Sequence, residues 1–191
     1  MKIVLASKSP RRIELLSRYI EDFEILPSRI DENLGAEASP EIDVMTLAFE
    51  KAWDAAKRTD ESSLVIGSDT VVAGEEILGK PKDREDAFRM LKSLSGKEHR
   101  VITGIALINL EKNLKAVDYE ESKVVFRELT DSMIENYLDT GEYEDKAGSY
   151  AIQGIGEILC ERFEGSFSNI VGLPLVKLDE MMKKHTEKGL I

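Results

Sequence analysis

Short apolar runs alternate with helix-start signals along this chain, and that alternation restricts the fold more than any other feature. Ile3-Val4-Leu5 is an apolar run of strand length, followed at once by Ser9, an N-cap candidate, and Pro10, a favoured first helical residue. The same pattern predicts strands over 2–6, 23–27 and 64–72 and helices over 10–20, 40–58 and 84–94. Runs over 99–109 and 114–127, around a turn at Glu111 to Asn113, read as an antiparallel ribbon, and Gly74 to Leu78 reads as a hairpin. A helix over 131–139, a glycine-punctuated loop around 146–156, a strand over 157–163, a small-residue loop and a helix over 174–187 complete the order. Ser39 with Pro40, Asp83 with Asp86 and Thr130 with Asp131 add N-cap signals, and Gly141 follows the fourth helix. Strands separated by helices predict an α/β fold, a mixed β-sheet with flanking helices. At 191 residues the chain is taken as one domain, 1–191, with room for two lobes.

Charge departs from pattern at the first helix. Arg11 and Arg12 fall at its second and third positions, where the macrodipole normally favours acidic residues by about 0.3–1 kcal/mol each. A strand end, a turn with Ser7 and Ser9, and two guanidinium groups at a helix start together suit a multiply charged anion such as a phosphate chain. Pairing of both arginines with carboxylates is the alternative, since 37 acidic residues are available. A formal net charge of -11 argues against a nucleic-acid partner, yet leaves room for a small anion in a local basic cluster. No apolar stretch approaches a membrane span and the N-terminus lacks a signal peptide's apolar core, so a cytoplasmic location is expected. The single cysteine, Cys160, cannot pair internally, and with only His99 and His185 a zinc cluster is not expected.

Other residues break their local pattern. Lys51 falls inside the apolar stripe Val44, Leu47, Ala48, Ala52, Ala55, so its ammonium points inward unless it snorkels to an edge. Asp69 interrupts the buried run Leu64 to Val72. An ionised carboxylate there needs a partner, which makes metal coordination or proton transfer attractive; capping a turn after Gly67 and Ser68 is the alternative. Gly67 and Ser68 also let another group approach the backbone. Lys80, between Gly79 and Pro81, suits a phosphate contact, and Glu32 could supply a second metal oxygen. Gln153, the sole glutamine, both donates and accepts, as reading a base edge requires. Gly154-Ile155-Gly156 does not extend to a dinucleotide fingerprint, because Leu159 stands at the sixth position.

Together these segments resemble the Maf (septum formation inhibitor) nucleotide pyrophosphatases. The resemblance runs through Ala6-Ser7-Lys8-Ser9-Pro10-Arg11-Arg12, Ile30-Asp31-Glu32, Ala48 with Lys51-Ala52, Gly67-Ser68-Asp69-Thr70-Val71-Val72 and Leu78-Gly79-Lys80-Pro81. It continues in Leu94-Ser95-Gly96 with His99, Thr103-Gly104, Lys146-Ala147-Gly148-Ser149-Tyr150, Ile152-Gln153-Gly154 and Gly172-Leu173-Pro174. Ser68 departs from the alanine associated with the family. The resemblance implies a two-lobed α/β fold of the Maf and inosine triphosphatase type, with a substrate cleft between lobes. It implies a cytoplasmic house-cleaning enzyme, commonly a dimer and linked to septum formation. The implied reaction cleaves a nucleoside triphosphate between its α and β phosphates with a divalent cation, Mg2+ or Mn2+. It makes Asp69 the proton acceptor, Glu32 its partner at the metal, Arg11, Thr70 and Gln153 determinants of substrate choice, and Ser7, Arg11, Arg12, Lys51 and Lys80 phosphate contacts. Arg11 with Ile152-Gln153-Gly154 resembles the dTTP and UTP branch of the family. A pyrophosphatase for modified purines such as 7-methyl-GTP and a non-catalytic nucleotide-binding regulator of division are the alternatives.

Overall fold

A computed structural model describes residues 2–30 and 39–191. Its elements follow the expected alternation: β1 (Ile3–Leu5), α1 (Pro10–Ser17), β2 (Glu24–Ile25), α2 (Pro40–Ala56), β3 (Leu64–Ala73), β4 (Ile77–Leu78), α3 (Arg84–Leu94), β5 (Glu98–Asn109), β6 (Leu114–Phe126), α4 (Asp131–Leu138), β7 (Cys160–Glu164), α5 (Phe167–Val171) and α6 (Leu175–Thr186). The strands form one mixed sheet in the order β2-β1-β3-β5-β6-β7, with β4 paired to β3. β1 runs parallel to both β2 and β3, whereas β3 with β4 and β6 with β7 are antiparallel. Among the described residues, no helix is long and apolar enough to cross a membrane.

The chain divides into two compact units: Met1–Asp69, Thr103–Glu120 and Gly172–Ile191 form the first, Thr70–Ile102 and Glu121–Val171 the second. In the first unit, small residues set the packing. Val4 and Ala6, Ala48, Ala52, Ala55 and Ala56 of α2, Val65, Ala106 and Ile108 make one core, covered by Leu26, Phe49, Trp53 and Leu110. Alanine-sized side chains let α2 lie close to the sheet, and two glycines bring it closer. A Cβ at Gly67 would overlap the Ala48 carbonyl oxygen and come within 2.8 Å of Ala52 Cβ; one at Gly104 would overlap the Val44 carbonyl. Val44, Ala48 and Ala52 are spaced one turn apart, so a single helical ridge rests on the two glycine gaps.

In the second unit, His99, Phe126 and Tyr150 pack edge to face with ring centroids 4.8–5.6 Å apart. Gly148, at φ +65°, donates its N–H to the Gly79 carbonyl at 3.0 Å and lies where a Cβ would press on Val72. That bond ties the segment carrying Lys80 to the Lys146–Tyr150 motif.

Several local expectations change. Ser9 makes no side-chain cap; instead its N–H donates to Ser7 Oγ at 3.2 Å, so the turn is closed by a hydroxyl two residues earlier. Ser39, Asp83 and Thr130 do cap, accepting from Ile42, Asp86 and Met133 N–H groups. α1 stops at Ser17, short of residue 20. The strand expected over 157–163 starts at Cys160, because Ile155–Leu159 winds into a 3-10 turn after Gly154. The loop that follows contains the five-residue helix α5, too short to leave a periodic signal.

Candidate active site

The two pattern-breaking residues of the first unit are partners. Lys51 Nζ lies 2.5 Å from Asp69 Oδ1, and both residues are buried, 4% and 7% exposed. Burial at this level excludes the snorkelling alternative for Lys51. The origin of the pair is local: α2 sits against β3 at Gly67, so Lys51, one residue before Ala52, reaches the strand two residues beyond the contact. A charge this deep is tolerated only with a countercharge and hydrogen bonds, and each member supplies that to the other.

Beside this pair, Arg12 is anchored on backbone oxygens. Its Nε donates to the Gly172 carbonyl at 2.7 Å and its Nη1 to the Ser68 carbonyl at 2.9 Å. Ser68 Oγ donates to the same Gly172 carbonyl at 3.0 Å. Helix start, strand and the loop before α6 are thus joined at one carbonyl, which accounts for the Gly172-Leu173-Pro174 motif. Gly172 takes φ +117°, a backbone region that side chains disfavour. Arg11, the next residue toward the helix start, is half-buried.

Ser7 lies two residues beyond the end of the parallel strand β1 and is 8% exposed. β1 registers with β3 through Val4 to Val65 and Leu5 to Ile66, and Ala6 N–H continues the ladder to the Ile66 carbonyl at 2.8 Å. Ser7, Arg12, Lys51 and Asp69 therefore belong to the carboxyl-terminal side of two adjacent parallel strands, where open α/β sheets bind ligands. Thr70, Lys80 and Gln153 lie in the second unit: Thr70 is half-buried on β3, Lys80 exposed after β4, and Gln153 half-buried before the 3-10 turn. Gln153 lines a cavity of about 470 Å³ with Ile152, Arg162, Phe163 and Phe167. Glu32 lies outside the described residues.

Among the described residues, no three of His, Cys, Asp and Glu converge to hold a metal. One buried carboxylate at Asp69 fits the sparse donor set of Mg2+, which takes one or two protein carboxylates and completes its shell with phosphate oxygens and water. Cys160, at the cavity edge, has its thiol pushed up to about 12 by burial, with the nearby Glu157 adding to the shift, which removes it as a nucleophile. The interactions invisible in the sequence are the Gly172 carbonyl anchor, 160 residues from Arg12, and a grip on the Gln153 loop by Glu142, whose carboxylate accepts from the Ile155 and Gly156 N–H groups.

Comparison with known proteins agrees with the resemblance drawn from the motifs. The sequence model of the Maf-like protein family matches residues 2–185. A dTTP/UTP pyrophosphatase of Caldanaerobacter subterraneus subsp. tengcongensis is 53% identical over 185 residues, 96% of this chain and 89% of the relative. Relatives of the same description from Thermoanaerobacter sp. and Clostridioides difficile are 49% and 50% identical, covering 100% and 97% of this chain and 100% and 95% of their own. Identity at this level over nearly the whole length, together with the family match, places the chain in the Maf-like protein family.

Proposed function

We propose that this chain hydrolyses dTTP and UTP at the α–β phosphoanhydride bond, releasing the monophosphate and pyrophosphate, as a house-cleaning enzyme of the cytoplasm. The observation that carries the reading is the buried Lys51–Asp69 pair on the strand whose backbone also anchors Arg12. The activity described for the relatives supplies the choice of nucleotide. Asp69 and Thr70 are neighbours on one strand yet fall in different units, which supports treating the chain as one catalytic domain.

In this mechanism Asp69 accepts a proton from the attacking water. Lys51 fixes the orientation of its carboxylate and offsets its charge. Ser7, Arg11, Arg12 and Lys80 take the phosphate chain, whose roughly four negative charges need cationic groups set in place before the transition state forms. Arg12 meets that condition: bonds to carbonyls of two segments fix its fork in place. A divalent cation, Mg2+ or Mn2+, held by Asp69 and Glu32, would neutralise phosphate charge and acidify a bound water. Gln153 reads the carbonyl and imide edge of the pyrimidine, with Phe163 and Phe167 of its cavity offering apolar walls.

The test is pyrophosphate release from dTTP, UTP, CTP, ITP and 7-methyl-GTP with and without Mg2+ or Mn2+. Metal-dependent turnover of dTTP and UTP is expected, with Asp69→Asn lowering kcat by about 10²–10⁴-fold. Activity confined to a purine would move the chain to another branch. Full turnover by Asp69→Asn would overturn the mechanism, and no release from any substrate would favour a nucleotide-binding regulator.

A further inference from the structure

We infer that Glu142 is a positioning residue for substrate choice: its carboxylate holds the loop that presents Gln153. The inference rests on the pyrimidine triphosphatase reading and adds a residue to that site. Gln153 occupies the third position of a turn closed by Gly154 N–H donating to the Ala151 carbonyl at 3.3 Å. Both ends of this turn are gripped by residues at or just beyond the end of α4. On one side, Ala151 N–H donates to the Tyr137 hydroxyl at 3.3 Å. On the other, Ile155 N–H donates to Glu142 Oε1 at 2.9 Å and Gly156 N–H to Oε2 at 2.8 Å. Glu142 is itself placed by its N–H, which donates to Thr140 Oγ1 at 3.2 Å, while that hydroxyl donates to the Tyr137 carbonyl at 2.6 Å.

Two charge-assisted bonds from consecutive amides fix the direction in which the chain leaves Gln153. Gly154 shows how closely the carboxylate is packed: a Cβ there would overlap Glu142 Oε1 and lie 2.7 Å from its carboxyl carbon. The glycine after Gln153 therefore leaves room for the carboxylate in the position where the two amides hold it. Pyrimidine recognition depends on where one amide group stands, so loosening the loop weakens discrimination before it weakens phosphate chemistry, whose groups lie on other segments.

The experiment measures kcat and KM for dTTP and ITP in four enzymes whose folding is checked by thermal melts. Glu142→Ala is expected to lower the dTTP-to-ITP ratio of kcat/KM about tenfold, through KM for dTTP, with kcat kept within about twofold. Glu142→Gln, whose single amide oxygen can accept from only one of the two N–H groups, should recover part of the ratio. Gly154→Ala should reproduce the loss alone but add nothing to Glu142→Ala, because the overlap is gone. A folded Glu142→Ala enzyme with an unchanged ratio, an equal fall for both nucleotides, or additive effects would overturn the role of Glu142 while leaving the reaction standing. A wild-type enzyme that releases no pyrophosphate would overturn the proposed function and this inference with it.

Discussion

Asp69 and Lys51 show how a residue can be conspicuous in a sequence while its meaning stays hidden. Each violates its own element, one an apolar strand and the other an apolar helical stripe, and each violation is visible from spacing alone. That the two explain each other depends on how α2 crosses β3, which no spacing within either element contains. A consequence follows for substitutions. Removing Lys51 leaves the buried Asp69 carboxylate without its cation, a loss of about 3–5 kcal/mol, whereas replacing both with apolar groups removes the charge and its penalty together. Lys51→Met should therefore unfold at markedly lower urea than the parent, while Lys51→Met with Asp69→Leu should recover much of the difference. Both should be inactive. Recovery of activity together with stability in the double variant would show that Asp69 is not the proton acceptor.

At the scale of elements, the close seat of α2 on the sheet is what aligns the pair. Gly67 was readable as a place of close approach, but the approaching group was not, and the structure identifies it as the Ala48 and Ala52 turn of α2. A methyl group at 67 has no room against a backbone carbonyl, so Gly67→Ala should lift α2 from β3. The expected cost is about 1–3 kcal/mol or more from overpacking, with a fall in kcat larger than any change in KM, because Lys51 would be drawn away from Asp69. Denaturant titration and steady-state kinetics on one preparation check both; an unchanged kcat would separate helix seating from catalysis. The strand and helix order was legible because apolar period marks the longer elements and side-chain caps mark the starts of α2, α3 and α4. What escaped was short or non-local: α5 has five residues, the start of β7 is displaced by a 3-10 turn, and the Arg12 anchor joins positions 56 and 160 residues apart. Glu142 escaped as well, since a glutamate in a turn reads as solvated until the two amides facing it are known.

For the whole molecule, the buried histidine of the second unit couples stability to pH. His99 is 2% exposed; its Nε2 lies 2.9 Å from the Tyr150 hydroxyl, and its buried Nδ1 has no hydrogen-bond partner among the described residues. Burial pushes its pKa down to about 4, and pushes that of Tyr150 well up, so both are neutral near pH 7. The sign follows from proton counting. Between the unfolded value near 6.5 and the folded value near 4, the unfolded chain binds the extra proton, so stability rises with pH across that window and is lost as pH falls through it. From pH 7 to pH 5 this one group removes about 2 kcal/mol, and about 3 kcal/mol once pH has fallen past the folded value. Carboxylates titrating below pH 5 add their own losses, so the histidine is isolated by difference. His99→Phe keeps an aromatic ring between Phe126 and Tyr150 but cannot take a proton. It should be less stable at pH 7 by about 1–2 kcal/mol, for the hydroxyl bond it loses, and should fall less between pH 7 and 5 than the parent. Urea melts of both proteins at the two pH values decide it. Equal losses in the two would mean that His99 takes its proton without unfolding, and that the apolar surround of the ring opens more easily than its packing against Phe126 and Tyr150 implies.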